Sequence, residues 1–178
     1  METKLKSQSL DQVEADALVV VIFEDTADFA PAKTWLDELK TSGEFSGKPG
    51  EMAILHSPAG FKTKRLVVIG GGKPEKFDGI ATRRAAGSTV RALKQKGIKT
   101  LAWSLGNGGV DTAEAVIEGA ILGNYEPDAF KTKKDAKSLD AIHLIAAASD
   151  VALEKAEIGR AHVRTPVTFL YLVCRLLL

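Results

Sequence analysis

Cysteine is nearly absent: Cys174 stands alone among 178 residues, so no disulfide can form within the chain, and this usage suits a reducing compartment. Charge of neither sign dominates. The 24 Lys and Arg against 23 Asp and Glu leave a formal net charge of +1, too little for a field that gathers nucleic acid or an anionic membrane. The C-terminal apolar run, residues 169–178, is broken by Arg175 and falls far short of the roughly 20 residues needed to cross a bilayer. The opening METKLKSQSLDQ has no apolar h-region, which argues against a secretory signal and makes the cytoplasm the expected location. Histidine is also scarce: His56, His143 and His162 include no pair at metal-ligand spacing. Hydrophobic content of 45% still allows a sizeable core, and 178 residues leave room for one domain with an appendage.

What is present is an alternation of apolar runs and helix-compatible segments. The stretch RLVVIGGGK (65–73) runs four apolar residues straight into three glycines, which reads as a buried strand over 65–69 followed by a turn too tight for any Cβ. Residues 17–23, nearly all apolar and β-branched, suit a strand covered on both faces. A short, weakly alternating segment at 4–10 fits an edge strand. Residues 31–39 space Trp35, Leu36 and Leu39 as on a helix, with Gly43 beyond its end. A short strand at 52–56 lies between a Lys48-Pro49-Gly50 turn and Ser57-Pro58, and its proximity to 65–69 predicts an antiparallel hairpin.

Further along, 82–95 carries Ala85, Ala86, Val90 and Leu93 on one helical face and ends at Gly97, placed for a left-handed cap. Strands are expected at 98–105 and 139–146. Asp111 is expected to cap a helix over 112–122, and Asp150 to start a last one through Lys155. The pattern predicts an α/β fold, a three-layer α/β/α sandwich with a mixed, mostly parallel sheet.

Few residues promise chemistry. Gly70-Gly71-Gly72 with Lys73 resembles a phosphate cradle but matches neither GxGxxG nor a P-loop, since Pro74 follows the lysine. Gly106-Asn107-Gly108-Gly109 poses the same question after another strand, and in both places glycines needed only for the chain path are the commoner explanation. Arg83, Arg84, Arg91, Lys94, Lys96 and Lys99 form a stretch without an acidic residue, in which Arg84, Arg91 and Lys94 can share a helix face. Without interleaved aromatics such a face is more often merely solvated than bound to nucleic acid. Ser57, Ser88 and Ser104 lack a G-x-S-x-G elbow.

ADALVVVIFE (15–24), RLVVIGGGK (65–73) and GIATRRAAGSTVRAL (79–93) together resemble the N-terminal domain of the leucine aminopeptidase (cytosol aminopeptidase, M17) family, over residues 4–155. The resemblance implies a macro-domain-like fold, a second domain that removes N-terminal residues (leucine preferred) from peptides with two divalent ions, manganese or zinc, and assembly into a homo-hexamer. The family's metal ligands lie in an NTDAEGR-type motif and neighbouring Lys and Asp residues, and no such string occurs here. No catalytic, cofactor-binding or metal-binding residue is therefore assigned, and the chain alone is expected to be inactive for want of its catalytic domain. Its alternatives are a stand-alone module for ADP-ribose or a nucleotide, and a DNA-binding accessory domain.

Residues 1–156 are expected to form the domain and 157–178 a non-native or unstructured tail. The string from Glu157 to Thr168 resembles a translated sequencing adapter, as expected of read-through.

Overall fold

The computed structural model describes residues 1–24, 29, 32–106, 108–125 and 137–146. Among them six strands form one sheet: β1 (Glu2–Ser7), β2 (Ala17–Phe23), β3 (Met52–His56), β4 (Arg65–Gly72), β5 (Thr100–Gly106) and β6 (Ala141–Ala146), in the order β1-β6-β5-β2-β4-β3. Every neighbouring pair is parallel except β3 with β4, which form the expected antiparallel hairpin. Three helices accompany them: α1 (Lys33–Ser42), α2 (Gly79–Gln95) and α3 (Val110–Asn124).

Successive strand residues point to opposite faces, so the uninterrupted apolar run of β2 feeds two cores at once. On one face Val19, Val67, Ile69, Leu101 and Trp103 meet Ala86, Val90 and Leu93 of α2 and Val116 of α3. On the other, Leu18, Val20, Leu66 and Val68 pack with Leu36 of α1 and with Phe45. Helices thus cover both faces, in the expected three-layer arrangement. Each large aliphatic side chain buried this way contributes about 1.5–3 kcal/mol.

Helix α2 shows how local signals and packing combine. The Asp78 carboxylate accepts a hydrogen bond from the Ala81 amide at 2.8 Å, satisfying one of the four unpaired N–H groups of the first turn. Gly97, at φ +75°, closes the far end and donates to the Lys94 carbonyl at 3.1 Å. Against α3 the helix runs unusually close. A Cβ on Gly119 would lie 2.3 Å from the Arg83 carbonyl oxygen, and one on Gly123 would lie 2.4 Å from that of Gly87.

Several boundaries differ from expectation. The first strand is Glu2–Ser7 rather than 4–10, because residues 10–12 turn as a 3-10 helix. Helix α1 ends at Ser42, with Gly43 at φ +77° closing it. Strand β5 starts at Thr100 and β6 at Ala141, each two residues later than expected. Helix α3 begins at Val110 with Gly109 as its N-cap, so Asp111 lies inside the first turn. There its charge still favours the positive helix end. The helix expected at 150–155 and the tail 157–178 lie outside the described residues.

Candidate functional site

The largest departure concerns the glycine run. Strand β4 does not stop at Ile69 for a turn but continues through Gly72, and Gly70, Gly71 and Gly72 are all buried. Residues 47–51 lie across this strand end. The Gly70 amide donates to the Glu51 carbonyl at 2.9 Å and the Gly72 amide to the Gly47 carbonyl at 2.8 Å, while Gly72 returns its own carbonyl to the Glu24 amide at 3.0 Å.

A Cβ on Gly70 would sit 1.9 Å from the Lys48 carbonyl oxygen, and one on Gly71 would sit 2.6 Å from the Phe23 ring. Two of the amides that a phosphate would need, those of Gly70 and Gly72, are therefore taken by the protein's own backbone. The glycines serve close packing.

The overlying segment is held by one carboxylate. Glu51 accepts from the Ser46 amide at 2.7 Å, the Ser46 hydroxyl at 2.9 Å and the Lys48 amide at 3.1 Å. Burial pushes its pKa up, but the Ser46 and backbone hydrogen bonds outweigh it and hold the carboxyl below its ordinary value. The left-handed Gly47 and Gly50 (φ +84° and +90°) flanking Lys48-Pro49 give the segment its path. Sequence reading found this turn but nothing tied it to the glycine run some 20 residues later.

The second glycine end differs. Gly106 is exposed at φ +56°, with nothing within 4 Å of a Cβ placed on it, and Gly108 donates to the Leu105 carbonyl at 2.8 Å. Asn107 lies outside the described residues. The apposed end of α3 carries Asp111, which opposes a bound anion.

The basic stretch does not present one face. Lys94 is only 1% exposed, and its ammonium lies against the end of α3, 3.4 Å from the Asn124 carbonyl. Arg83 donates to Glu118 at 2.8 Å, and the Lys99 ammonium donates to the Ser138 carbonyl at 3.2 Å. Arg84, Arg91 and Lys96 remain on the exposed side.

Of the histidines, His56 ends β3 and His143 lies in β6, while His162 lies outside the described residues. His143 is 9% exposed, and its Nδ1 has no hydrogen-bond partner. Burial lowers its pKa first, the Lys6 and Lys4 charges lower it further, and Glu2 opposes them. Ser57 and Ser104 sit at the end of the hairpin and in β5, and the Ser88 hydroxyl donates to the Ala85 carbonyl at 3.0 Å. Cys174 lies outside the described residues.

Asp16 went unnoticed in the sequence. Its carboxylate receives the Lys64 ammonium at 2.7 Å and the Thr100 and Lys99 amides at 3.0 and 3.1 Å, tying the starts of β2, β4 and β5 together. Burial would raise its pKa, yet these donors leave it lowered. This is a structural clasp.

The two divalent ions that the resemblance implies do not fit the described residues. Among them no three His, Cys, Asp or Glu side chains converge to hold a metal.

The model of the cytosol aminopeptidase family's N-terminal domain matches residues 11–134. A probable cytosol aminopeptidase of Solibacter usitatus is 42% identical over 142 residues, which span 79% of this chain and 29% of that protein. Among solved structures, a tomato leucine aminopeptidase mutant superposes with a TM-score of 0.69 at 20% identity, covering 92% of this chain and 36% of its own. The macrodomain of Thermus aquaticus DarG gives 0.55 at 10% identity over 81% of this chain and 97% of its own, a likeness of fold. The chain therefore belongs to the cytosol aminopeptidase family, carries its N-terminal domain, and spans less than a third of the length of that Solibacter relative.

Proposed function

We propose that this chain is the noncatalytic N-terminal domain of a metal-dependent aminopeptidase, whose hydrolysis of N-terminal residues, leucine preferred, belongs to a second domain holding two divalent ions, manganese or zinc. On this reading the domain spans residues 1–156, and 157–178 are a non-native or unstructured tail of the kind read-through leaves. In the intact cytoplasmic protein this domain packs against the catalytic one within a homo-hexamer. The observation that carries the reading is the extent of the match, most of this chain against 29% of a relative named as an aminopeptidase.

The test is an assay of the purified chain on a leucine-amide substrate with manganese. Rates equal to those of a metal-free control are expected, and turnover above that control refutes the reading.

One observation favours a second reading, a stand-alone module for ADP-ribose or a nucleotide: the macrodomain likeness spans nearly all of that neighbour. Its binding surface would then lie at the loop after β5, since the Gly70 and Gly72 amides are taken by residues 47–51. A ligand at 100 times its Kd stabilises by about 2.7 kcal/mol, so thermal unfolding with ADP-ribose decides between the two. No shift is expected.

A further inference from the structure

Among the described residues β1 and β3 form the two edges of the sheet, and they are protected unequally. On β1 the sequence Glu2–Ser7 carries Lys4 and Lys6, and Glu2 pairs with Lys4 at 2.9 Å; charges of this kind guard an open edge. On β3 the residues Met52, Ala53, Ile54 and Leu55 carry no charge, and all four are half-buried.

Hydrogen bonding shows which backbone groups look outward. The Gly70 amide donates to Glu51 at one end of the hairpin and the Ser57 amide to Lys64 at the other, both at 2.9 Å. Directly opposed pairs alternate in an antiparallel ladder. Ala53 and Leu55 therefore turn their N–H and C=O groups toward β4, while Met52, Ile54 and His56 turn theirs away from the sheet.

We propose that β3 is a self-association edge at which two copies of this chain pair antiparallel about a two-fold axis at Ile54, joining two six-stranded sheets into one of twelve. The edge is self-complementary in that register. Ile54 meets its own counterpart, and Met52 meets His56 of the second copy, so all six outward groups of each strand find partners. The same face of both sheets is shared, which sets Met52 and Ile54 side by side with their counterparts and places Ala53 opposite Leu55 on the other face. Glu51 falls opposite Ser57, so no like charges oppose, and a net charge of +1 leaves little repulsion between copies. Pro49 and Pro58 limit the pairing to a short strand, which makes a weak dimer in the micromolar to millimolar range. The inference does not rest on the aminopeptidase reading.

Sedimentation of the full chain from about 10 μM to about 1 mM, spanning that range, should show the mass rising toward a dimer. Amide exchange in the peptide covering 51–57 should slow in step. His56→Pro removes an outward N–H without touching the β4 ladder. It should weaken association at least about tenfold while thermal unfolding stays unchanged. Met52→Lys serves as a second variant should the proline disturb the hairpin, and the same loss is expected. A monomer at the highest concentration overturns the proposal. So does an assembly that both variants leave intact, or association without slowed exchange in 51–57.

Discussion

Strands β4 and β5 both leave the sheet through glycine, and their ends are nevertheless opposites. At Gly70–Gly72 the protein's own segment 47–51 lies so close that no side chain fits, and two amides are spent on its carbonyls. At Gly106 the surroundings are open and glycine answers only to a positive φ. Identical residue types thus serve close packing, together with a positive φ at Gly72, at one strand end and chain direction alone at the other. A glycine run after a strand is consequently weak evidence for a ligand until its amides are accounted for.

Gly70→Ala gives the sharpest test of that difference. The methyl group must displace residues 47–51 and break two hydrogen bonds, a loss of about 3 kcal/mol in denaturant unfolding. Gly123→Ala should follow at about 2 kcal/mol, because its Cβ would press on the Gly87 carbonyl across the α2–α3 contact. Intrinsic helix preference, which favours Ala by about 1 kcal/mol, predicts the opposite sign, so the direction alone decides. Gly106→Ala should cost only about 1 kcal/mol, the strain of a left-handed alanine. Equal losses at Gly70 and Gly106 would erase the distinction between the two ends.

Smaller effects appear in the pH dependence of stability. The folded pKa of Asp16 is depressed, so its contribution is present above the ordinary value of 3.8 and is lost as pH falls through the lower folded value. Asp16→Asn should flatten thermal unfolding over that acidic window. For His143, also depressed, the unfolded chain takes up its proton first, near 6.5, so stability declines as pH drops below that value. His143→Gln should remove this decline, and a histidine proton titration with a midpoint at or above 6.5 would contradict it.

Much of this was legible residue by residue. The run at 17–23 is the buried strand β2, Gly97 ends α2 in the left-handed conformation, and the hairpin at 52–69 forms as spaced. Lys94 was misleading because helical spacing places it beside Arg84 and Arg91. Only the approach of α3 reveals that it lies buried against the Asn124 carbonyl. Asp16 was silent for the same reason: its donors come from Lys64 and from residues 99–100.

Periodicity, caps and glycines, which act within a few residues, determined by themselves the sequence of strands and helices, while the strings at 15–24, 65–73 and 79–93 carried the family resemblance. Tertiary structure alone decided that β1 pairs with β6, that residues 47–51 close the glycine run, and that α2 and α3 touch through Gly87, Gly119 and Gly123. These depend on hydrogen-bond partners and steric neighbours supplied from distant parts of the chain, which local patterns cannot encode.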